Sequence, residues 1–147
     1  MTHTYPLDRE AVQGVLPHRD PMLFIDSVVA ASDTHLHAVT QVDPEWDVFQ
    51  GHFPAFPVMP GVLLIEAVAQ AGALILGLKG AVSDGNFVGF TGVEAAKFRR
   101  MVRPGDVMNI YVELTRERRG FYKFDGRIEV EGETAVELKF AAAQMSL

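Results

Sequence analysis

The chain has 147 residues, of which 48% are hydrophobic and 22% are charged, a composition typical of a folded globular domain rather than a disordered chain. It contains no cysteine, which excludes disulfides, thiolate nucleophiles, zinc fingers and iron–sulfur clusters. A net charge of −6 argues against a general nucleic-acid binder. We expect one domain spanning residues 1–147, large enough to fold without metal or disulfide.

The first fifty residues are predicted to form short elements. These are a helix over Asp8–Leu16, a buried strand over Met22–Ala31, an alternating strand over Thr34–Val42 and a helical turn over Pro44–Phe49. Asp8 is a suitable N-cap for the helix, and Pro17 stops it. The N-terminus has no basic segment followed by an apolar run, so we predict no signal peptide and a cytoplasmic protein.

A stiff loop and a long helix follow. Residues 51–61, Gly-His-Phe-Pro-Ala-Phe-Pro-Val-Met-Pro-Gly, contain three prolines, which forbid regular structure but restrict the backbone. Val62–Leu78 is predicted to be a helix that is apolar on every face, as buried helices are. It approaches membrane-span length, but an ionised Glu66 at bilayer depth would cost roughly 2.5 kcal/mol or more. A buried core helix is therefore favoured over a membrane span.

The remaining residues are predicted to form a sheet. The expected strands are Asn86–Val93, a second through Lys97, Phe98 and Val102, a third with alternating residues at Met108–Leu114, and a pair, Phe121–Val130 and Thr134–Met145, joined by a turn at residues 131–133. One long helix and five or six strands indicate an α+β domain in which the sheet wraps the helix.

Three residues around the start of the long helix could carry acid–base chemistry. Glu66 and Gln70 share one helix face at i, i+4, and a buried carboxylate costs several kcal/mol unless it is paired or protonated. A partly wet subunit seam is the alternative explanation for Glu66. His52 lies in the stiff loop, where a catalytic base can be held firmly. The Gly61 N–H lies at the positive end of the helix dipole, where it could stabilise a developing oxyanion. Base, acid and oxyanion donor together suit proton removal next to a carbonyl.

Other histidines carry weaker signals. His18 follows the first predicted helix and is expected to be structural. His35 and His37 alternate on a strand and could bind a metal, but no third ligand is apparent, so no metal site is predicted. A Gly-x-Ser-x-Gly nucleophile elbow is absent.

Several ordered motifs resemble those of one family over nearly the whole chain. They are Leu16-Pro17-His18-Arg19, Phe49-Gln50-Gly51-His52-Phe53-Pro54, Met59-Pro60-Gly61-Val62, Glu66-Ala67-Val68-Ala69-Gln70, Lys97-Phe98-Arg99-Arg100, Val102-Arg103-Pro104-Gly105-Asp106 and Arg118-Arg119-Gly120. The chain is thereby similar to the β-hydroxyacyl-acyl-carrier-protein dehydratases of fatty-acid synthesis, Z type. The resemblance implies the hot-dog fold, no cofactor, and subunits that dimerise edge to edge and often assemble as trimers of dimers.

The resemblance also implies roles for the catalytic candidates. His52 of one subunit would face Glu66 of its partner and take the C2 proton of a 3-hydroxyacyl thioester. The Gly61 N–H would hold the thioester oxygen. Glu66, oriented by Gln70, would protonate the departing C3 hydroxyl to give a trans-2-enoyl product.

Substrate and carrier-protein residues follow from the same resemblance. The acyl tunnel would be lined by Phe53, Phe56, Val58, Met59 and Phe90. Gly89 stands where family members often carry an aromatic gate, so an open or longer tunnel is expected.

Charge is unevenly distributed along the chain. Residues 1–96 hold 3 basic and 11 acidic side chains, whereas residues 97–127 hold 9 basic and 4 acidic. Such a basic island is either a solvated strand face or a docking patch for an acidic partner. The resemblance favours docking of acidic acyl carrier protein at Lys97, Arg99, Arg100 and Arg103. The arginines at 116, 118 and 119 are equally compatible with simple solvation.

Other activities are compatible with the same fold. A hot-dog acyl-thioesterase would use Glu66 to activate water and would release a free thiol. An isomerase would also move the double bond, and a carrier-binding module would lack catalysis. A dehydratase paralogue of a specialised pathway, such as aryl-polyene synthesis, is a further alternative, because Arg19-Asp20-Pro21-Met22 replaces the more usual aromatic-Pro-Phe.

Overall fold

A computed structural model describes residues 3–146, and its centre is one long helix wrapped by a six-stranded antiparallel sheet. The helices are α1 (Arg9–Gln13), α2 (Val48–Gly51) and α3 (Gly61–Leu78). The strands are β1 (Ser27–Ala31), β2 (His35–Gln41), β3 (Asn86–Phe98), β4 (Val107–Arg118), β5 (Phe121–Val130) and β6 (Glu133–Ser146). Their order across the sheet is β1-β2-β4-β5-β6-β3. The hot-dog α+β fold is confirmed.

Helix α3 fills the concave face of the sheet. Leu74, Ile75 and Leu76 have no exposed surface, and the backbone of β5 approaches the helix closely. A Cβ placed on Gly126 would lie 2.4 Å from Cγ1 of Val68, so the residue at position 126 must be a glycine for the helix to pack at this depth. Helix α3 is apolar and long enough to cross a membrane by length and composition, but 61% of it is buried within the fold. It is the core helix of the domain.

Several predicted boundaries are wrong for identifiable reasons. Only Ser27–Ala31 of the predicted strand Met22–Ala31 pairs with a neighbour. The Phe24 N–H instead donates to the side chain of Gln70, so Leu23, Phe24 and Ile25 are buried without joining the sheet. The first helix is confirmed with its Asp8 cap, whose Oδ1 accepts from the Ala11 N–H, but it ends at Gln13.

The two strands predicted between residues 86 and 102 are a single strand. β3 pairs with β6 along its whole length and crosses register shifts between Phe90 and Gly92 and between Glu94 and Lys97. These bulges absorb residues that interrupt the alternation, which is why the sequence pattern suggested two strands. Val102 lies beyond the strand, and its carbonyl accepts from the Met59 N–H at 2.8 Å. The predicted turn between β5 and β6 is confirmed, with positive φ at Glu131 and Gly132.

The two edges of the sheet differ in how they are covered. The outer side of β1 is partly paired, because Leu7 and Val28 exchange two backbone hydrogen bonds. β3 is thirteen residues long and, in the part of the chain that the structure describes, pairs with β6 alone. Phe90, Val93 and Phe98 on this strand are exposed. A long, apolar strand with one unpaired edge is a surface on which another chain can add.

Candidate active site

The loop between α2 and α3 fixes the ring of His52. Its Nδ1 lies 2.7 Å from the carbonyl oxygen of Val58, and the Val58 N–H donates back to the His52 carbonyl at 3.0 Å. The imidazole also stacks on Phe53, with ring centroids 4.1 Å apart. Because a carbonyl can only accept, the proton of the neutral ring is on Nδ1. Nε2 is left with a free lone pair, the arrangement of a general base.

Gly61 is the first residue of α3, and the cap of this helix leaves backbone N–H groups available. Pro60 occupies the N-cap and makes no side-chain hydrogen bond to the first turn. The Pro60 carbonyl accepts from Leu63 and Leu64, which leaves the Gly61 N–H at the positive end of the helix dipole. A Cβ at Gly61 would lie 2.8 Å from Cε1 of Phe98. The absence of a side chain therefore lets the aromatic ring of β3 lie against the start of the helix.

Glu66 lies one and a half turns into α3, and its partners contact one carboxylate oxygen, Oε2. Oε2 accepts from Nε2 of Gln70 at 2.8 Å and lies 3.4 Å from Nε2 of His18. Its side chain is 24% exposed. Burial raises the pKa of Glu66, but the hydrogen bonds from His18 and Gln70, with the attraction of His18, outweigh it and lower the pKa. The predicted shared face of Glu66 and Gln70 is confirmed.

Gln70 is only 1% exposed and joins Glu66 to the segment before β1. Its Oε1 accepts from the Phe24 N–H at 2.9 Å, and its Nε2 also donates to the Met22 carbonyl at 2.7 Å. A buried amide with all these partners is rigid, so the Glu66 carboxylate is oriented by the fold.

His52 and Glu66 are held by separate sets of hydrogen bonds. Among residues 3–146, no hydrogen bond or ion pair joins His52 to Glu66 or Gln70. Each group has its own anchors within the chain, and a reaction that needs both must bring them together by other means.

The predicted tunnel residues fall into two sets. Val58 and Met59 are buried, whereas Phe53, Phe56 and Phe90 are exposed. Gly89 is covered by Met145, because a Cβ at Gly89 would lie 2.7 Å from its Sδ. The space next to the Gly89 backbone is therefore filled by the Met145 side chain rather than left open.

The four predicted docking cations have different environments. Arg99 forms an ion pair with Glu137 at 2.7 Å, and Arg100 donates to the Val130 carbonyl at 2.8 Å. The guanidinium of Arg103 lies 4.2 Å from the ring centroid of Phe56, which places one cation against a predicted tunnel residue. Lys97 is exposed on β3.

The contact of His18 with Glu66 was not predicted from the sequence, from which a structural role was expected for this residue. The available signal was its position in a motif of the family resemblance. His35 lies 3.1 Å from Glu113, and His37 contacts Asn109 at 2.9 Å. Within residues 3–146, no group of three or more His, Asp or Glu side chains is arranged to hold a metal ion.

The long helix wrapped by an antiparallel sheet, with His52 and Glu66 each held by its own hydrogen bonds near the start of that helix, defines the class of the protein as a hot-dog domain. A model of the FabA-like domain matches residues 16–139. The chain is 45% identical to a 3-hydroxyacyl-[acyl-carrier-protein] dehydratase FabZ of Jannaschia sp. (strain CCS1), over 92% of this chain and 86% of the relative. It is also 45% identical to FabZ of Erythrobacter litoralis, over 92% and 91%.

Solved structures agree at the level of the fold. The dehydratase heterocomplex ApeI:P from Xenorhabdus doucetiae matches with a TM-score of 0.78 and 24% identity, over 98% of this chain and 93% of that one. A mutant thioesterase from Pseudomonas aeruginosa matches with a TM-score of 0.69 and 18% identity, over 99% and 98%. The chain belongs to the FabA-like domain family, among its FabZ-type dehydratases.

Proposed function

We propose that the protein removes water from (3R)-3-hydroxyacyl thioesters of acyl carrier protein to form trans-2-enoyl thioesters. The observation that carries this function is the His52 ring, whose Nδ1 is anchored to the Val58 carbonyl at 2.7 Å and whose Nε2 is free to accept a proton. FabZ relatives at 45% identity carry the name of this activity. Hot-dog thioesterases share the fold at 18% identity, so the fold alone does not separate the two reactions.

In the reaction, Nε2 of His52 takes the C2 proton while the Gly61 N–H stabilises negative charge on the thioester oxygen. The C3–O bond then breaks, Glu66 gives its proton to the departing oxygen, and water leaves. Afterwards His52 holds the proton from C2 and Glu66 is a carboxylate. Return of one proton from His52 to Glu66 through water resets the site, so no redox partner is involved.

We propose that His52 of one subunit lies next to Glu66 of another in a dimer in which β3 pairs with β3 of the second copy. The support is the unpaired edge of β3 and its exposed Phe90, Val93 and Phe98. In this assembly the acyl tunnel is formed by residues 53, 56, 58, 59, 89 and 90 at the seam. Three such dimers joined into a hexamer and a cytoplasmic location belong to the same proposal.

Carrier protein docks, in this proposal, on the basic residues at the C-terminal end of β3 and just after it. Arg103 lies against Phe56, close to the proposed tunnel mouth, and Lys97, Arg99 and Arg100 lie at the same end of β3. Acidic partners are steered to such clusters, and the effect weakens with salt.

The test uses crotonyl thioesters of acyl carrier protein and of pantetheine. Loss of the enoyl absorbance measures hydration, the reverse reaction, while free thiol is assayed in parallel. We expect hydration without thiol release, and a loss of roughly 10²-fold or more in His52→Ala and in Glu66→Gln. Thiol release at a comparable rate would assign a thioesterase. No turnover by the folded wild-type protein in either assay would contradict the proposal.

A further inference from the structure

His18 lies in the turn after α1, and its imidazole faces the catalytic carboxylate. Within residues 3–146 it is the side chain at ion-pair distance from Glu66, with Nε2 3.4 Å from Oε2. Only 26% of the His18 side chain is exposed. The contact joins two segments that are far apart in sequence and packs a titratable ring against the proposed acid.

The other ring nitrogen shows what orients this imidazole. Nδ1 of His18 is buried and has no hydrogen-bond partner in the described part of the chain. A histidine that served packing alone would be expected to satisfy both nitrogens, because buried polar atoms are almost always bonded. Nε2 faces a carboxylate oxygen of Glu66, which accepts, so the ring carries a proton on Nε2. His18 therefore presents an N–H donor to Glu66.

The backbone of His18 is held in place by its neighbour. The guanidinium of Arg19 donates to the carbonyls of Leu16 at 2.9 Å, His18 at 2.7 Å and Gln13 at 3.1 Å. Arg19 thus satisfies carbonyls at the end of α1 and fixes the turn from which the imidazole projects. The Arg19 guanidinium therefore binds these carbonyl oxygens rather than the Glu66 carboxylate.

We propose that His18 is a positioning residue: its Nε2–H and the Gln70 amide hold Oε2 of Glu66, so that Oε1 is the oxygen that exchanges the proton with the substrate. This inference rests on the proposed dehydration. In the described part of the chain, His18 and Gln70 both contact Oε2. When Oε1 carries the proton, Oε2 keeps both hydrogen bonds. When the proton leaves with the C3 oxygen, the same donors stabilise the carboxylate, and the carboxyl group does not need to rotate.

The position of His18 has a consequence for pH dependence. Its hydrogen bond lowers the pKa of Glu66 against the raising effect of burial. The other cations nearby are engaged elsewhere, Arg19 on the carbonyls above and Arg9 on Asp26 and Asp20, and the remaining ionisable group is His52 of the proposed partner. Removing the His18 donor should therefore move the acidic limb of the activity profile to higher pH.

The test compares two replacements that place an amide N–H differently. In His18→Gln the amide nitrogen reaches the position of Nε2, whereas in His18→Asn it reaches only that of Nδ1. We expect His18→Asn to lose up to roughly 10²-fold in kcat for crotonyl hydration, with KM within about twofold, and its acidic limb to move up. His18→Gln should recover most of kcat and the wild-type limb. His35→Gln, at the exposed His35–Glu113 pair, is the matched control and should change neither.

A second measurement does not depend on turnover. Carbon-13 NMR of carboxyl-labelled glutamates in the full-length protein gives the pKa of Glu66, assigned by comparison with Glu66→Gln. We expect the pKa of Glu66 to be higher in His18→Asn than in wild type and close to wild type in His18→Gln. An unchanged titration in His18→Asn would overturn the positioning role, as would equal kinetics of the two variants. Absence of hydration by the wild type would instead overturn the proposed function, and the titration would still decide whether His18 holds Glu66.

Discussion

Replacing Gln70 by leucine tests whether the buried amide couples the stability of the fold to the orientation of Glu66. The side chains have similar volumes, but Gln70→Leu removes the acceptor for the Phe24 N–H and the donor to Met22 and Glu66. The orphaned Phe24 N–H costs about 1–3 kcal/mol, and the lost bond to the carboxylate about 1.5–3 kcal/mol. Met22 is exposed and its carbonyl can bind water instead, and burying leucine returns about 1.5–3 kcal/mol.

The net loss is about 1–3 kcal/mol, which for a chain of this size lowers Tm by roughly 3–12 °C. Catalysis should fall as well, by roughly 10- to 10²-fold in kcat, because the carboxylate loses one of its two anchors. Thermal unfolding followed by circular dichroism and the crotonyl hydration assay measure the two effects. Gln41→Leu, at an exposed strand position, is the control and should shift stability by no more than about 0.5 kcal/mol. Wild-type Tm and kcat in Gln70→Leu would refute this reasoning.

Three further predictions concern packing, pH and docking. Gly126→Ala should lower the free energy of unfolding by about 1–3 kcal/mol, because its Cβ would lie 2.4 Å from Val68; adding Val68→Ala should cost less than the sum of the single changes in denaturant titrations, and strict additivity would contradict the contact. The folded pKa of Glu66 is lowered from 4.5, so its ionisation stabilises the fold above pH 4.5 and this contribution is lost as pH falls through the lower folded value; the stability difference between wild type and Glu66→Gln should shrink over that range, and a constant difference would show that the carboxylate is not stabilised. Lys97→Ala should raise KM for the carrier-protein thioester at low salt but not for the pantetheine thioester, whereas Lys123→Ala, at an exposed position of β5 in a separate pocket with Arg116 and Arg118, should change neither, and equal effects on both substrates would argue against docking at Lys97.

Sequence patterns predicted the parts of the fold that depend on local chemistry. The apolar residues of α3, the Asp8 cap and the turn at Glu131–Gly132 each follow from short-range rules. The hydrogen bond from the Phe24 N–H to Gln70 does not, because the two residues are 46 positions apart. That contact replaces a ladder hydrogen bond, which is why an apolar run typical of a strand lies outside the sheet.

The candidate site could also be predicted only where it depends on local sequence. The stiff loop around His52 and the polar pair on an apolar helix predicted the groups that we propose to react. The approach of His18 to Glu66 was not predictable from spacing, because it depends on how the turn after α1 folds against α3. The meeting of His52 with Glu66 involves, in our proposal, a second copy of the chain, and no pattern within one sequence gives that geometry.

Subunit complementation tests the shared active site most directly. His52→Ala and Glu66→Gln are purified separately, mixed in equal amounts, unfolded and refolded together, and assayed for crotonyl hydration. Random pairing should restore about a quarter of the wild-type activity, because half of the dimers are mixed and each contains one site with both groups intact. Activity in the mixture no greater than that of the two variants refolded alone would contradict a site built from His52 of one subunit and Glu66 of the other.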